Sequence, residues 1–292
     1  MFGGYCVCNK SKGQDRVLCC NENHTYGCFD GHKTERIAEL CSSLFPDAVA
    51  ETLRRPPSSE SSLEEETRKT FRIVHNQIRK ATKDRDYGGS TAILFCRVSE
   101  TRAICANCGD SKGVLALKGK KTPRRLSVEH RPGTTKEKKR IESCGGQVDY
   151  GRICDVDGLG MLSVSRGFGN VSIPGFVSEP DVCEPINVAD VDNQFVVLGS
   201  DGLFDAVSEH EVVDCVRTCL KSQGSRPDPW ACADALVDLA MEYHERNGTE
   251  DDVSALVVLL NDLAKDAKAA AAIETDESVA FETPVKRRRK QD

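Results

Sequence analysis

The sequence lacks the features that mark membrane-spanning, secreted and repeat proteins. None of its apolar runs approaches the roughly 20 residues that a helix needs to cross a bilayer. Its first ten residues contain no basic segment followed by an apolar one, so no secretory signal is expected, and the Met-Gly start of a myristoylation motif is missing. No unit of about 20 to 50 residues is repeated, which excludes a solenoid. A globular chain without membrane partners is expected.

The chain also lacks an excess of positive charge. It carries 40 Lys and Arg against 46 Asp and Glu, for a net charge of -6. A nucleic-acid-binding domain normally has a basic surface, so nucleic acid is not expected as a partner. Hydrophobic residues make up 39% of the chain, which is enough to form a core and argues against disorder.

Three common catalytic motifs are missing as well. The chain has no GxxxxGK[ST] phosphate-binding loop. Ser200 does not stand in the GxSxG spacing of a nucleophile elbow. Gly167 and Gly169 lack the strand-turn-helix context of a dinucleotide-binding fingerprint. The chemistry must therefore come from other residues.

Cysteine, by contrast, is abundant. The 15 cysteines are odd in number and have no export signal, so free and mostly buried thiols in a reducing compartment are expected. Cys105 and Cys108 form a CxxC that could bind zinc. They lie, however, in an apolar run typical of a strand, where these two positions face opposite sides, and no second ligand pair has a familiar spacing. Buried thiols are favoured over zinc.

Hydrophobic periodicity predicts an α+β chain with an antiparallel sheet. Two helices are expected between Thr34 and Asp86, interrupted by the breaker at residues 55–59. The turn at residues 99–101 predicts a hairpin. Opening strands are expected in residues 1–30, and later strands in Ser90–Val98, Thr101–Cys108, Gly113–Leu117, Met161–Ser165, Gln194–Ser200 and Val253–Leu260.

Three further helices have readable starts. Thr134 with Glu137, and Ser208 with Glu211, stand in the spacing of a capping box. Asp228 followed by a proline is typical of an N-cap with proline in the first helical position.

Aspartates stand beside many of the predicted strands. Rigid strand ends can bring carboxylates to one point, where they repel one another unless a cation neutralises them. Ligands that are all oxygen select a hard ion such as Mg²⁺ or Mn²⁺. A single aspartate after a strand is more often a turn residue, but the whole set favours a metal site. Its members are Asp15, Asp30, Asp110, Asp201, Asp251 and Asp252.

His32 follows the Asp30-Gly31 pair directly. An isolated histidine is usually structural or exposed. Its place beside the best metal candidate favours a role in proton transfer, because imidazole titrates near neutral pH.

These residues resemble the metal-dependent protein serine/threonine phosphatase family (PPM, type 2C) over about residues 6–262. Phe29-Asp30-Gly31-His32 is similar to the family's FDGH block, and Ser200-Asp201-Gly202-Leu203-Phe204-Asp205 to its DGLWD block. Further blocks, in order, are Gly89–Ala92, Asn107–Ser111, Leu126–Pro132, Leu162–Arg166 with Glu179-Pro180, and Thr249–Ser254.

The resemblance implies a fold and a cofactor. The fold is a β-sandwich of two antiparallel sheets flanked by antiparallel helix pairs, in four αββα layers, forming a phosphatase domain over residues 1–262. The cofactor is a pair of Mg²⁺ or Mn²⁺ ions, with a weaker third ion. The expected partners are phosphorylated proteins, and a monomer is the default.

The resemblance also implies residue roles. Asp30 would bridge both ions, Gly31 would offer its carbonyl to one, and Asp201 and Asp251 would complete the other. Asp15 would hold metal-bound waters. The third ion or its waters would be served by Asp110 and Asp205. A water between the two metals would attack phosphorus in line, and His32 would protonate the leaving serine or threonine alkoxide.

The sequence departs from the family pattern in several places. The arginine that usually grips the substrate phosphate is missing, so Lys10 or Lys12 would have to substitute as a point charge. Lys33-Thr34 replaces a glycine pair, Gln14 stands where many members have Glu, and Asn170 ends a block that usually ends in Asp. The first two departures leave open an alternative, a catalytically silent scaffold or binding protein with the same fold.

The C-terminal segment changes character. Residues 263–292 are expected to form a helix extension and then a mobile basic end. The basic run Lys286–Lys290 favours nuclear import over a merely solvated tail, so a nuclear or cytoplasmic location is predicted.

Overall fold

The computed structural model describes residues 1–9, 11–54, 62–83, 85, 87–154, 161–260 and 265. The strands are β1 (Phe2–Cys8), β2 (Arg16–Cys20), β3 (Thr25–Phe29), β4 (Gly31–His32), β5 (Gly89–Ser90), β6 (Ala92–Arg97), β7 (Arg102–Cys108), β8 (Lys112–Leu117), β9 (Arg124–Arg125), β10 (Val148–Asp149), β11 (Arg152–Cys154), β12 (Met161–Leu162), β13 (Phe168–Gly169), β14 (Asp181–Val182), β15 (Ile186–Asn187), β16 (Asn193–Gly199) and β17 (Val253–Leu259). The helices are α1 (Arg36–Thr52), α2 (Leu63–Thr82), α3 (Thr135–Ser143), α4 (Asp201–Phe204), α5 (Glu209–Gln223) and α6 (Pro229–Asn247).

Two large antiparallel sheets form the centre of the molecule. One has the strand order β1-β17-β16-β8-β9, and the other β14-β7-β6-β3-β2 with β15 beside β7. Two smaller sheets, β10-β11-β12 and β13-β5-β4, lie outside them. The predicted hairpin is β6 and β7, which pair with Ala92 opposite Cys108.

Alternation along each strand builds a core in three layers. Successive side chains point to opposite faces of a sheet, so Ile93 and Phe95 of β6 face the other sheet, whereas Leu94 packs towards α1 and α2. On β17, Val258 joins the same inter-sheet layer and Val257 packs against α5 and α6. The result is a helix–sheet–sheet–helix sandwich, which confirms the predicted fold class.

All three predicted helices begin directly after the expected N-cap residue, and two of the three caps form their expected hydrogen bonds. The Ser208 hydroxyl accepts from the Glu211 N–H and the Glu211 carboxylate accepts from the Ser208 N–H, so this capping box is complete. Asp228 accepts from the Trp230 N–H at the start of α6. The predicted capping box at Thr134 is wrong, because the Thr134 side chain makes no hydrogen bond to the N–H groups at the start of α3. Glu137 turns instead into the interior, where it binds the buried Arg166.

The strand predicted over Met161–Ser165 is shorter than expected and ends at Leu162. The chain leaves the sheet because Ser165 is held elsewhere. Its backbone N–H and its hydroxyl both donate to the carbonyl of His130, at 2.9 and 2.8 Å.

All fifteen cysteines are free thiols. Cys105 lies in the layer between the sheets and Cys108 in the layer beneath α1 and α2, so the two face opposite sides as predicted. Burial raises the pKa of both thiols well above the ordinary value. Such thiols are inert packing residues rather than reactive groups.

Some predictions fall outside the described residues. These are the breaker at residues 55–59, Lys10, the C-terminal helix extension and the basic run Lys286–Lys290. The domain boundary at residue 262 and the nuclear location therefore stay predictions. None of the described helices is both long and apolar enough to span a bilayer.

Candidate active site

Antiparallel pairing brings the candidate aspartates to one end of the sandwich. Arg16, next to Asp15, pairs with Phe29, next to Asp30. On the other sheet the end of β16 pairs with the beginning of β17, with Gly199 opposite Ala255. Asp201 follows β16, Asp251 precedes β17, and Asp110 follows β7. Residues from five separate points of the chain therefore meet.

The carboxyl groups at this end are close enough to perturb one another. Burial raises the pKa of Asp30 well above its ordinary value, and repulsion from Asp15, Asp201 and Asp110 adds to the effect. The carboxyl groups of Asp30 and Asp201 are close enough that each shifts the pKa of the other. Burial raises the pKa of Asp15 to about 8, with repulsion from Asp252 and Asp201 acting in the same direction. Such crowding is what a bound cation relieves.

Hydroxyl groups line the base of the site. Ser254 on β17 donates to Oδ2 of Asp15 at 2.7 Å, and its own N–H donates to Ser200 Oγ at 3.0 Å. On the other sheet the hydroxyl of Thr91 accepts from the Asp30 N–H at 3.1 Å. The Ser254 contact fixes the carboxylate of Asp15, and the Thr91 contact fixes the backbone of Asp30 at the end of β3.

Asp252 holds the loop that carries Lys12. Its Oδ1 accepts from the N–H groups of Ser11 and Lys12 at 3.0 Å each, and its Oδ2 accepts from the N–H of Gln14 at 2.9 Å. The sequence placed Asp252 beside the metal candidates without a separate role. Three converging amides on a buried carboxylate show that it organises this loop instead.

Gly31 lies where a larger residue does not fit. A Cβ atom at this position would stand 2.6 Å from the carbonyl oxygen of Gln14. The loop before β2 thus packs directly on the backbone that follows Asp30, which brings Asp15 next to Asp30.

The exposed Lys12 reaches the carboxylates. Its Nζ lies 3.3 Å from Oδ1 of Asp251. Partial burial alone would lower the pKa of Lys12, but Asp251, and more weakly Asp30 and Asp201, outweigh it and raise the pKa. Of the two lysines predicted to bind phosphate, Lys12 is therefore at the site, and Lys10 lies outside the described residues.

Asp110 and Asp205 meet around a guanidinium that sequence reasoning did not single out. Arg131 Nη1 lies 3.5 Å from Oδ2 of Asp110, and its Nη2 lies 3.3 Å from Oδ2 of Asp205. Burial and repulsion from Asp201 raise the pKa of Asp110 to about 7, although Arg131 opposes the shift. The only signal in the sequence was that Arg131 belongs to the Leu126–Pro132 block.

His32 continues the chain after Gly31 and contacts the buried Asn170. The distance from Asn170 Nδ2 to His32 Nε2 is 2.7 Å. Sequence reasoning expected only a structural effect where Asn170 departs from the family's Asp, yet its amide touches the candidate proton donor. Asn170 has a φ of 49°, a left-handed conformation that asparagine tolerates better than most residues.

The departure at Lys33-Thr34 leaves the unusual backbone conformation in place. Lys33 has a φ of 66°, which is in the region that favours glycine. Thr34 Oγ1 donates to the carbonyl of Tyr87 at 2.6 Å and so ties this turn to the segment before β5.

The donor set suits a hard divalent ion, because it consists of carboxylates from rigid strand ends that repel one another. Among the described residues, however, no three His, Cys, Asp or Glu side chains already stand as a ligand cluster. Cations of the chain itself contact the outer carboxylates: Lys12 at Asp251, Arg131 at Asp110 and Asp205, and, more distantly, Lys112 at Asp205.

The chain forms a sandwich of antiparallel sheets between helix pairs, with aspartates gathered at one end of the sheets. This fold and this site together define a class of protein. The family model described as Protein phosphatase 2C matches residues 4–249. The chain belongs to the protein phosphatase 2C family, as the motif blocks predicted.

Individual relatives agree with this assignment. The chain is 32% identical over 244 residues to probable protein phosphatase 2C 9 of Oryza sativa subsp. japonica, covering 77% of this chain and 57% of that protein. It is 33% identical over 242 residues to probable protein phosphatase 2C 39 of Arabidopsis thaliana, covering 82% and 75%. The chain thus spans little more than half the length of the rice relative.

The structural comparison supports the same fold. The crystal structure of serine-threonine phosphatase 2C from Toxoplasma gondii superposes with a TM-score of 0.74 at 21% sequence identity, over 89% of this chain and 94% of that one. This likeness concerns the architecture of the sandwich.

Proposed function

We propose that the chain is a Mg²⁺- or Mn²⁺-dependent protein phosphatase that hydrolyses phosphoserine and phosphothreonine. The observation that supports this most strongly is the meeting of Asp15, Asp30, Asp110, Asp201 and Asp251 at one end of a phosphatase 2C sandwich. Two divalent ions, when bound, would supply an activated water and neutralise charge on the phosphoryl group.

The chain's own residues would hold these ions and the substrate. Asp30, whose carboxyl group is near those of Asp15, Asp110 and Asp201, would hold the ions together with the carbonyl of Gly31. Asp201 and Asp251 are the other proposed ligands, and Asp15 is placed to hold bound water. No cysteine is proposed to take part in the reaction. Burial raises the pKa values of Cys28, Cys96 and Cys105, which makes these thiols poor nucleophiles.

The direct test is phosphate release from a phosphothreonine peptide with Mn²⁺, with Mg²⁺ and with EDTA. We expect turnover with either metal and none with EDTA. Absence of turnover under all three conditions would turn attention to the alternative of a silent scaffold, which the missing phosphate-gripping arginine first suggested.

Lys12 is proposed to bind the substrate phosphate. Because a charged hydrogen bond contributes about 1.5–3 kcal/mol, Lys12→Ala should raise KM for the peptide about tenfold and leave kcat nearly unchanged, whereas Lys12→Arg should restore KM. Lys221→Ala, on the exposed surface of α5, is the matched control. Steady-state kinetics decide the matter, and an unchanged KM in Lys12→Ala would remove this role.

His32 is proposed to protonate the leaving alkoxide. General acid catalysis contributes roughly 10²- to 10⁴-fold, so His32→Ala should lower kcat for a phosphothreonine peptide by about that factor. The same variant should lose much less activity towards an aryl phosphate, whose leaving group needs no proton. Equal losses on both substrates would assign His32 a positioning role instead.

A further inference from the structure

Arg131 lies between the two aspartates that the family resemblance implied as ligands of a weaker third divalent ion or its waters. Its guanidinium spans Asp110 and Asp205, the two residues expected to serve that ion, with its Nη atoms 3.5 and 3.3 Å from their Oδ2 atoms. Asp110 is nearly buried, since only 4% of its side chain is exposed. Asp110 and Asp205 repel each other unless a cation lies between them. Here that cation is the guanidinium of Arg131.

The position of Arg131 is set by His130, the residue before it. The N–H of His130 donates to the carbonyl of Gly109 at 2.9 Å, and the N–H of Gly109 donates back to His130 Nδ1 at 3.1 Å. His130 is only 1% exposed. The residue before Arg131 is therefore locked onto the residue before Asp110, which keeps the guanidinium and the carboxylate together.

A third acidic residue, Glu129, orients the guanidinium of Arg131. Arg131 Nε donates to Glu129 Oε2 at 3.0 Å, and Glu129 Oε1 in turn lies 3.3 Å from Lys112 Nζ. Lys112 Nζ reaches Asp205 Oδ1 at 4.0 Å. Two cations and three carboxylates thus alternate across this side of the site, which is a more ordered arrangement than an isolated surface pair.

We infer that Arg131 is a built-in counter-charge for Asp110 and Asp205 and competes with any third divalent ion for these two carboxylates. The inference rests on the proposed function, because it concerns the same metal-binding end of the sandwich. A third ion would have to displace the guanidinium, so its binding should be weak in the natural chain and should strengthen when the positive charge is removed.

The test is calorimetric titration of Mn²⁺ into the full chain and into R131Q. We expect R131Q to bind one more Mn²⁺ than the natural chain, or to bind the weakest ion at least about tenfold more tightly, since a nearby positive charge no longer opposes it. R131K keeps the charge and should behave like the natural chain. The double variant R131Q/D205N should lose the gain.

A second variant guards against misfolding of R131Q. R131M also removes the positive charge, keeps an unbranched side chain, and should shift the weakest binding event in the same direction as R131Q. If thermal unfolding shows R131Q to be unfolded, R131M decides the question. Isotherms of folded R131Q or R131M that match the natural chain would overturn the inference.

The two hypotheses fail in different ways. If the natural chain binds no Mn²⁺ at all, the proposed metal-dependent function is wrong. If it binds Mn²⁺ and R131Q shows no additional or tighter event, only the role of Arg131 is wrong.

Discussion

Asp30→Asn should abolish metal-dependent turnover of a phosphothreonine peptide, with a loss of at least about 10³-fold in kcat. Removing a proposed metal ligand should cost several kcal/mol of transition-state stabilisation. The same variant should lose the rise in Tm that Mn²⁺ produces in the natural chain. Phosphate release and thermal unfolding, each with and without Mn²⁺, measure the two effects.

The metal-free stability of Asp30→Asn separates a site defect from misfolding. Asp30 is crowded by Asp15, Asp201 and Asp110, so replacing its carboxyl group by an amide should leave the metal-free Tm unchanged or higher. Asp47→Asn, on the exposed side of α1, is the control and should keep full activity. Near-natural activity in Asp30→Asn would show that Asp30 is not a metal ligand in turnover.

Of all the proposed substitutions, Glu137→Gln should lower the free energy of unfolding the most. Glu137 is 2% exposed and accepts hydrogen bonds from Arg166, Arg140 and Ser165. Burial alone would raise the pKa of Glu137, but these partners outweigh it and lower the pKa to about 2. Against the ordinary value near 4.5, this corresponds to stabilisation on the order of 3 kcal/mol. The amide would leave the buried Arg166 with only its longer contact to Asp181 Oδ1, at 3.4 Å, as a counter-charge, which is costly.

The sign of the pH dependence follows from the lowered pKa. The stabilisation is fully present above about pH 4.5 and is lost as the pH falls towards 2. Urea unfolding should therefore show a difference of about 3 kcal/mol between the natural chain and Glu137→Gln at pH 7, shrinking progressively below pH 4.5. Glu142→Gln, on the same helix with an exposed partner in Lys138, should change stability by less than about 0.5 kcal/mol. A difference that does not vary with pH would contradict this assignment.

The two predictions concern different parts of one arrangement. The network around Glu137 lies beside the site, because Ser165 binds both Glu137 and the carbonyl of His130. His130 in turn holds the turn before Asp110. The network around Glu137 stabilises the fold beside the site. The carboxylates at the ends of the strands are crowded and destabilise the fold until a cation neutralises them.

Much of the fold was predictable from local patterns. The apolar runs Val253–Leu260 and Thr101–Cys108 predicted strands, and in the structure each strand has two differently packed faces. The capping box at Ser208 formed as expected because both of its members are exposed, and because Glu211 accepts from Tyr243 through Oε1 while its Oε2 stays available to Ser208. The one at Thr134 failed because Arg166, distant in the sequence, offers Glu137 a buried charged contact.

The sequence by itself determined the strands, the aspartates beside them and the family, because each of these depends on residues within a few positions or on blocks in a fixed order. Only the tertiary structure decided which cations meet the carboxylates. Lys12 at Asp251 and Arg131 between Asp110 and Asp205 each join residues far apart in the chain. The contact of Asn170 with His32 does the same. Such pairs depend on how strands pair and loops fold back, and no local pattern encodes the distance between two side chains that are brought together only by the packing of the whole sandwich.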